Sequence, residues 1–388
     1  MIIGVDGNEA NVQEKVGVSV YTLKLLEYFR KKANKNLKFV VFLRDKPTDD
    51  LPTENNNFIY HVVKGRFLWS QFYLPLALYK NRLSKEKINV FFSPAHYSPR
   101  FCPVPLVVAI HDLSYFYYPD EFLKKDLYQL IHWTKKSVNE AKKVIAVSKT
   151  TKRDIVKFYH IPEDKVKVVY NGYEKQTGGR TSEVKEPSEL EDGKTSEVKI
   201  QKKWQINKNL YILYVGTIQP RKNILTLIRA YKKFFEQFSK FKLVIAGKKG
   251  WLYDEIYEEV KKLKLEKKIV FTGYVTDEQI NWLYKNAFCF VLPSLYEGFG
   301  IPLLEAMSFN CPVISSFTSS LPEVGDEACL YFDPKNEDDL LEKLVSLKEN
   351  ESLRQELIEK GKKRLKLFSW NKCAQETLEI IVNHDKNH

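Results

Sequence analysis

Residues 290–316 read FVLPSLYEGFGIPLLEAMSFNCPVISS. The apolar run 288–292 predicts a buried strand and 296–300 a glycine-punctuated loop. The stretch from Pro302 predicts a short apolar helix, and 312–316 a second buried strand. Pro302 suits the first helical position, where its missing N–H would have no partner in any case. Asn310 and Pro312 then end the helix within about three turns. Strand, loop, helix, strand is the repeating unit of a parallel α/β sheet.

A helix that begins in a glycine loop after a buried strand presents unpaired N–H groups and the positive end of its dipole, a ready place for phosphate. Two carboxylates accompany it, Glu297 in the loop and Glu305 in the helix. Glu305 stands among Leu303, Leu304, Ala306 and Met307, where a carboxylate needs a partner. The bland reading makes Glu305 a cap for its own helix and Glu297 a solvated loop acid. Gly298 and Gly300, which admit close backbone approach to a ligand, favour a binding site instead. GFGIPL is not a dinucleotide fingerprint, because it lacks the third glycine and sits far from the first strand of its half.

The same rhythm extends in both directions. Upstream in this half, strands are predicted at 212–216, 243–247 and 269–273, with helices at 224–238, 252–263 and 277–286. A strand at 330–333 and helices at 337–350, 351–368 and 370–384 follow. The first of these strands ends in GTIQPRKN, residues 216–223. Arg221 and Lys222 stand just before a helix, where cations beside free N–H groups would hold a diphosphate. The alternative is a solvated basic turn.

The first half opens with IIGVDG as a strand and 18–33 as an amphipathic helix, with Gly17 in the turn between them. Further strands are predicted at 39–43, 58–63, 90–93, 106–111, 144–147 and 166–170. His111 and Asp112 close the strand LVVAI at the carboxyl edge, where ligands of parallel sheets collect. Residues 67–87 are rich in aromatics, end in a basic cluster and carry Pro75, predicted to bend or split the helix. Two readings fit them, a helix covering the sheet and a helix lying on a membrane surface.

The chain of 388 residues, 44% apolar and 13% aromatic, suits two domains with full cores. The predicted domains are 1–173 and 205–368, separated by a polar, flexible segment at 174–204, with a final helix at 369–388 crossing back to the first. The five cysteines are scattered without C-x-x-C spacing and read as free thiols. No run reaches about eighteen uncharged apolar residues and no leader pattern opens the chain, which predicts a cytoplasmic protein. The net charge of +13 is uneven: residues 1–172 hold 28 of the 62 Lys+Arg and 17 of the 49 Asp+Glu. No RNA-binding motif or aromatic stacking platform accompanies that charge, so a nucleic-acid partner is not expected.

Together these pieces resemble glycosyltransferase family 4, nucleotide-sugar-dependent enzymes of GT-B fold. The resemblance rests on Glu297 and Glu305 within PSLYEGFGIPLLEA, on GTIQPRKN, on TGYV at 272–275, SSLPEV at 319–324, HDLS at 111–114 and FSW at 368–370. It implies two Rossmann-like doubly wound domains facing across a cleft. It also implies retention of anomeric configuration without a catalytic metal or other cofactor. By the resemblance, Lys222 and Arg221 bind the donor diphosphate beside Gly216, and Glu305 holds the ribose hydroxyls. Glu297 lies near the donor sugar, and the backbone from Gly298 through Phe299 and Gly300 to Ile301 contacts sugar and phosphate. His111 lines the catalytic centre, and Gly17 approaches phosphate and acceptor. Catalytic roles are thus expected of His111, Glu297 and Lys222. Thr217 stands where many members carry arginine, and Val16 and Ser19 where many carry glycine. The implied partners are a nucleotide sugar, GDP-mannose or a UDP-hexose, and a glycan or lipid-linked acceptor. Peripheral contact of the basic first domain with the inner face of the plasma membrane is a further expectation. A GT-B epimerase or phosphorylase, or a non-catalytic nucleotide-sugar-binding protein, are the alternatives.

Overall fold

Seven parallel strands form the first sheet: β1 (Ile2–Asp6), β2 (Lys38–Leu43), β3 (Phe58–Val62), β4 (Val90–Ser93), β5 (Leu106–Ile110), β6 (Lys143–Ala146) and β7 (Val166–Val168). Their order is β3-β2-β1-β4-β5-β6-β7, so the winding reverses between β1 and β4. The computed structural model describes residues 1–15, 17–65, 67–174 and 193–385; Val16, Arg66, 175–192 in the middle of the polar segment, and 386–388 at the end of the expected final helix lie outside the described residues. Helices α1 (Val18–Lys32), α2 (Tyr73–Asn81), α3 (Lys124–Glu140) and α4 (Lys149–Tyr159) connect the strands. Strand β5 is LVVAI and is buried at every position. Such continuous apolar runs are what a parallel sheet covered on both faces requires. Val107 and Ala109 join the core under α1, with Leu25 and Phe29. Val108 and Ile110 join the opposite core, with Leu74 and Leu78 of α2.

Pro75 does not break α2. It is the third residue of the helix, within the first turn, where a missing N–H is tolerated. The interruption comes before it: Leu68 has φ 53° and a short 3-10 turn spans Trp69–Gln71. Trp69 is buried and its Nε1 donates to the Val63 carbonyl at 2.6 Å.

The second sheet contains β8 (Tyr211–Val215), β9 (Lys242–Ala246), β10 (Ile269–Gly273), β11 (Cys289–Leu292), β12 (Val313–Ser316) and β13 (Cys329–Phe332), in the order β10-β9-β8-β11-β12-β13. Its helices are α5 (Gly193–Trp204), α6 (Ile224–Gln237), α7 (Asp254–Lys262), α8 (Asp277–Asn286), α9 (Ile301–Ser308), α10 (Leu321–Gly325), α11 (Glu337–Glu349) and α12 (Glu351–Leu365). Here the winding reverses between β8 and β11, so the loops after these two strands share one edge.

Helix α5 corrects the expectation of a flexible linker through residue 204. The stretch is mostly polar, yet Ile200 and Trp204 are buried, and Glu197 pairs with Lys208 at 2.6 Å. Two apolar residues four apart lie on one helical face, enough to seat the helix on a core.

The chain divides into two compact units, Met1–Gly172 with Phe368–His388, and Tyr173–Leu367. The returning segment carries α13 (Trp370–Val382), whose Cys373, Ala374 and Ile381 join the core under α1. Gly172 sits where the outgoing and returning passes meet: a Cβ there would lie 2.2 Å from the Trp370 nitrogen. Cys289, Cys311, Cys329 and Cys373 are buried free thiols, and burial pushes the last three up to about 12 for Cys311, Cys329 and Cys373.

Candidate functional site

The two loops that leave β8 and β11 are stitched together. Residues Pro220–Lys222 form a single 3-10 turn, ended by Asn223 in the left-handed region at φ 55°. The Asn223 side-chain amide donates to the carbonyls of Pro293 and Pro334, at 3.0 and 2.7 Å, which ties the start of α6 to the segments that follow β11 and β13. The Leu295 N–H donates to the Arg221 carbonyl at 2.9 Å, and Arg221 Nη1 donates to the Tyr296 carbonyl at 2.5 Å. This framework brings Lys222 Nζ to 2.5 Å from Glu297 Oε1. Both side chains are mostly buried, at 17% and 14% exposure, so neither is a solvated surface charge.

Burial of Glu297 works against its charged form. The Lys222 ammonium, the Arg221 guanidinium and hydrogen bonds from Lys222 and the Ser294 hydroxyl outweigh that penalty and hold its pKa below the ordinary carboxylate value. The loop from Leu295 to Phe299 is pinned from the other side by hydroxyls after β12. Thr318 donates to the Leu295 carbonyl, Ser319 accepts from the Glu297 N–H, and Ser320 donates to the carbonyls of Glu297 and Phe299. Those serines belong to the SSLPEV stretch, whose role as a brace was not legible in the sequence. Gly216 and Gly247 pass so closely that a Cβ on Gly247 would lie 2.0 Å from the Gly216 carbonyl oxygen.

Helix α9 starts at Ile301 with Gly300 before it in the left-handed region at φ 106°. Pro302 is therefore its second residue rather than its first, still among the positions whose N–H has no partner within the helix. Phe299 is buried and Ile301 half-buried. Glu305 is the fifth helical residue and does not cap its own helix. Its Oε2 accepts from the Tyr284 hydroxyl on α8 at 2.9 Å. Burial raises the Glu305 pKa, against the stabilising bond from Tyr284. Tyr284 is itself fully buried and stacked on Phe309. Its partnership with Glu305 was missed in the sequence, where an α8 tyrosine reads as core.

Gly17 and His111 belong to the first unit. Gly17 has φ 51° and precedes the first residue of α1. One turn on, Tyr21 packs edge-on against the His111 ring at 4.8 Å. His111 Nε2 lies 2.7 Å from the Pro94 carbonyl, which can only accept, so this nitrogen carries the proton and Nδ1 is the acceptor. Burial, aided by the neighbouring His96, lowers the His111 pKa to about 4, so it is neutral near pH 7. His96, 5.7 Å away, has a buried Nδ1 without a hydrogen-bond partner. It follows β4, beside the winding reversal, and was not singled out from the sequence. Asp6, at the end of β1, has its pKa raised by burial to about 7.

Comparison with known proteins places this arrangement. The Glycosyltransferase Family 4 model matches residues 16–176, and the Glycosyl transferases group 1 model matches residues 196–364. O-antigen chain mannosyltransferase B of Escherichia coli is 31% identical over 297 residues, which cover 76% of this chain and 74% of that one. O-antigen chain mannosyltransferase RfbU of Salmonella typhimurium is 32% identical over 230 residues, 59% of this chain and 57% of that one. Anabaena HepE, solved in complex with UDP and glucose, shares the fold with a TM-score of 0.70 at 15% identity, over 98% of this chain and 99% of that one. Two parallel-sheet α/β units of this kind define an enzyme of the GT-B class. The chain belongs to glycosyltransferase family 4.

Proposed function

We propose that this glycosyltransferase moves a hexose, with mannose favoured, from a nucleoside-diphosphate sugar to a glycan or lipid-linked acceptor, with retention of configuration, in the synthesis of cell-surface polysaccharide or glycolipid. The single observation that carries the reading is the buried Lys222–Glu297 pair beside the start of α9. A cation already neutralised by a carboxylate 2.5 Å away, with a second cation one residue earlier, is poised to trade part of that contact for the diphosphate. Lys222, Arg221 and the first-turn amides of α9 then meet the charge that develops on the leaving group, so the reading requires no metal.

Glu305 supplies the ribose contact. With Oε2 held by Tyr284, Oε1 is left to accept from a ribose hydroxyl, and that bond favours the charged carboxylate that burial disfavours. Neutral His111 would accept a sugar hydroxyl at Nδ1, and Gly17 keeps the start of α1 open to a ligand. The preference for mannose, and for GDP-mannose over a UDP-hexose, follows the names of the mannosyltransferases to which the chain is similar.

The test is an assay of purified enzyme against a panel of nucleotide sugars with a lipid-linked acceptor, in chelator. GDP-mannose should give free GDP and an α-linked product. Turnover of the donor without transfer to added acceptor would instead mark an epimerase or phosphorylase, and no turnover a binding protein.

A further inference from the structure

Helix α2 is apolar on two faces. Leu74 and Leu78 point inward and are fully buried with Phe42, Phe91 and Val108. Phe72, Leu76, Tyr79 and Leu83 recur at intervals of four, three and four, which places them on one stripe of the helix and its continuing turn. They are 46–89% exposed. Phe67 and Leu68, 84% and 58% exposed, extend the patch at its start. Single exposed apolar residues are ordinary, but seven in one stretch of seventeen, Tyr73 included, are not. Leu68 also adopts the left-handed region at φ 53°, costly for a branched side chain, while the next residue is fixed by the Trp69 bond to Val63.

The surrounding charge is of one sign. Residues 64–87 contain six Lys+Arg and one acid, and that acid, Glu86, is paired with Lys38. Lys80 and Arg82 are exposed and lie roughly 80° to either side of the Phe72 position on the helical wheel. Basic side chains flanking an apolar stripe can lay their stems along it and keep their charge at headgroup level.

We propose that this face of α2, with the turn at Phe67 and Leu68, docks on an anionic lipid bilayer surface. A second copy seated on the same patch would set like charges together, and protein interface cores are depleted of lysine. An anionic headgroup layer meets both the aromatic stripe and its basic margins. Among the described residues no helix is long and apolar enough to cross a membrane, so the contact is peripheral. The use of this surface, reaching a lipid-linked acceptor, rests on the function proposed above; the contact itself does not.

The experiment is co-sedimentation of the full chain with vesicles of phosphatidylglycerol and phosphatidylcholine, or of phosphatidylcholine alone. Binding is expected to the anionic vesicles only, and to be lost at high salt. It should weaken about tenfold or more in Phe72→Ser with Leu76→Ser, and likewise in Lys80→Glu with Arg82→Glu. Light scattering of each variant and its thermal unfolding check that the fold is intact. The proposal is overturned by no binding at low salt, by equal binding of wild type and both variants, or by self-association that the same substitutions abolish without vesicle binding. Nucleoside-diphosphate binding, read by thermal shift, reports on the enzymatic reading separately: vesicle binding without it would sink that reading and leave this one standing.

Discussion

Lys222 Nζ and Glu297 Oε1 lie 2.5 Å apart although 75 residues separate them in the chain. Each side chain stands at the end of a different strand, and those strands, β8 and β11, are neighbours only because the sheet reverses its winding there. Lys222→Ala is expected to lower kcat/KM by the equivalent of about 2–4 kcal/mol, through loss of a charge-assisted contact to the leaving group. It also leaves Glu297 buried with the Arg221 guanidinium and the Ser294 hydroxyl but without its ion-pair partner. Lys222→Ala combined with Glu297→Gln should therefore cost less than the sum of the single changes. Steady-state kinetics of the three variants checks this, and an unchanged kcat/KM in Lys222→Ala removes the residue from the site.

Tyr284→Phe deletes the donor to Glu305 and keeps the stacking on Phe309. Nucleotide affinity should weaken by about 1 kcal/mol. The bond stabilises charged Glu305, so its loss raises the carboxyl pKa further. Affinity should then fall at a higher pH than in wild type as the solution is acidified. Calorimetric titration with GDP across the acid range measures both effects, and an unmoved acid limb would contradict the partnership.

Asp6 gives a pH effect on stability. Its pKa is raised from 3.8 to about 7, first by burial and then by Glu9, against the hydrogen bond from the Asn8 N–H. The folded state therefore binds the proton more tightly than the unfolded state. That contribution is complete below 3.8 and is lost as the pH rises through about 7. Asp6→Asn mimics the neutral form and should match wild type near pH 4 while exceeding it by about 1–2 kcal/mol near pH 8, allowing for solvent screening. Urea unfolding at the two pH values checks the sign.

Trp204 closes α5 with its side chain buried. Trp204→Ala should destabilise the second unit by about 3 kcal/mol. An unchanged unfolding midpoint would return 193–204 to the status of a linker.

The strands were legible because a sheet covered on both faces demands unbroken apolar runs, and VFFS, LVVAI and CFVL have few other uses. Helix α5 was not, since GKTSEVKIQKKW carries three apolar residues among its twelve and its seat depends on what lies beneath it. Trp69 is a similar case. Grouped by sequence with Phe67 and Phe72, it turns inward to bond Val63 while they remain exposed.

By itself the sequence determined the chemical inventory: cations before one helix, a glycine loop before another, carboxylates eight positions apart, and the βαβ rhythm that puts loop ends at a sheet edge. These are local, because capping, turn chemistry and periodicity act over a few residues. Only the tertiary structure decided which groups meet. It joined Lys222 to Glu297 and Tyr284 to Glu305, braced the loop with Ser319 and Ser320, and turned Phe72 outward and Leu74 inward. It also decided protonation, since His111 and Asp6 owe their shifts chiefly to burial, which packing creates and which no local pattern of residues encodes.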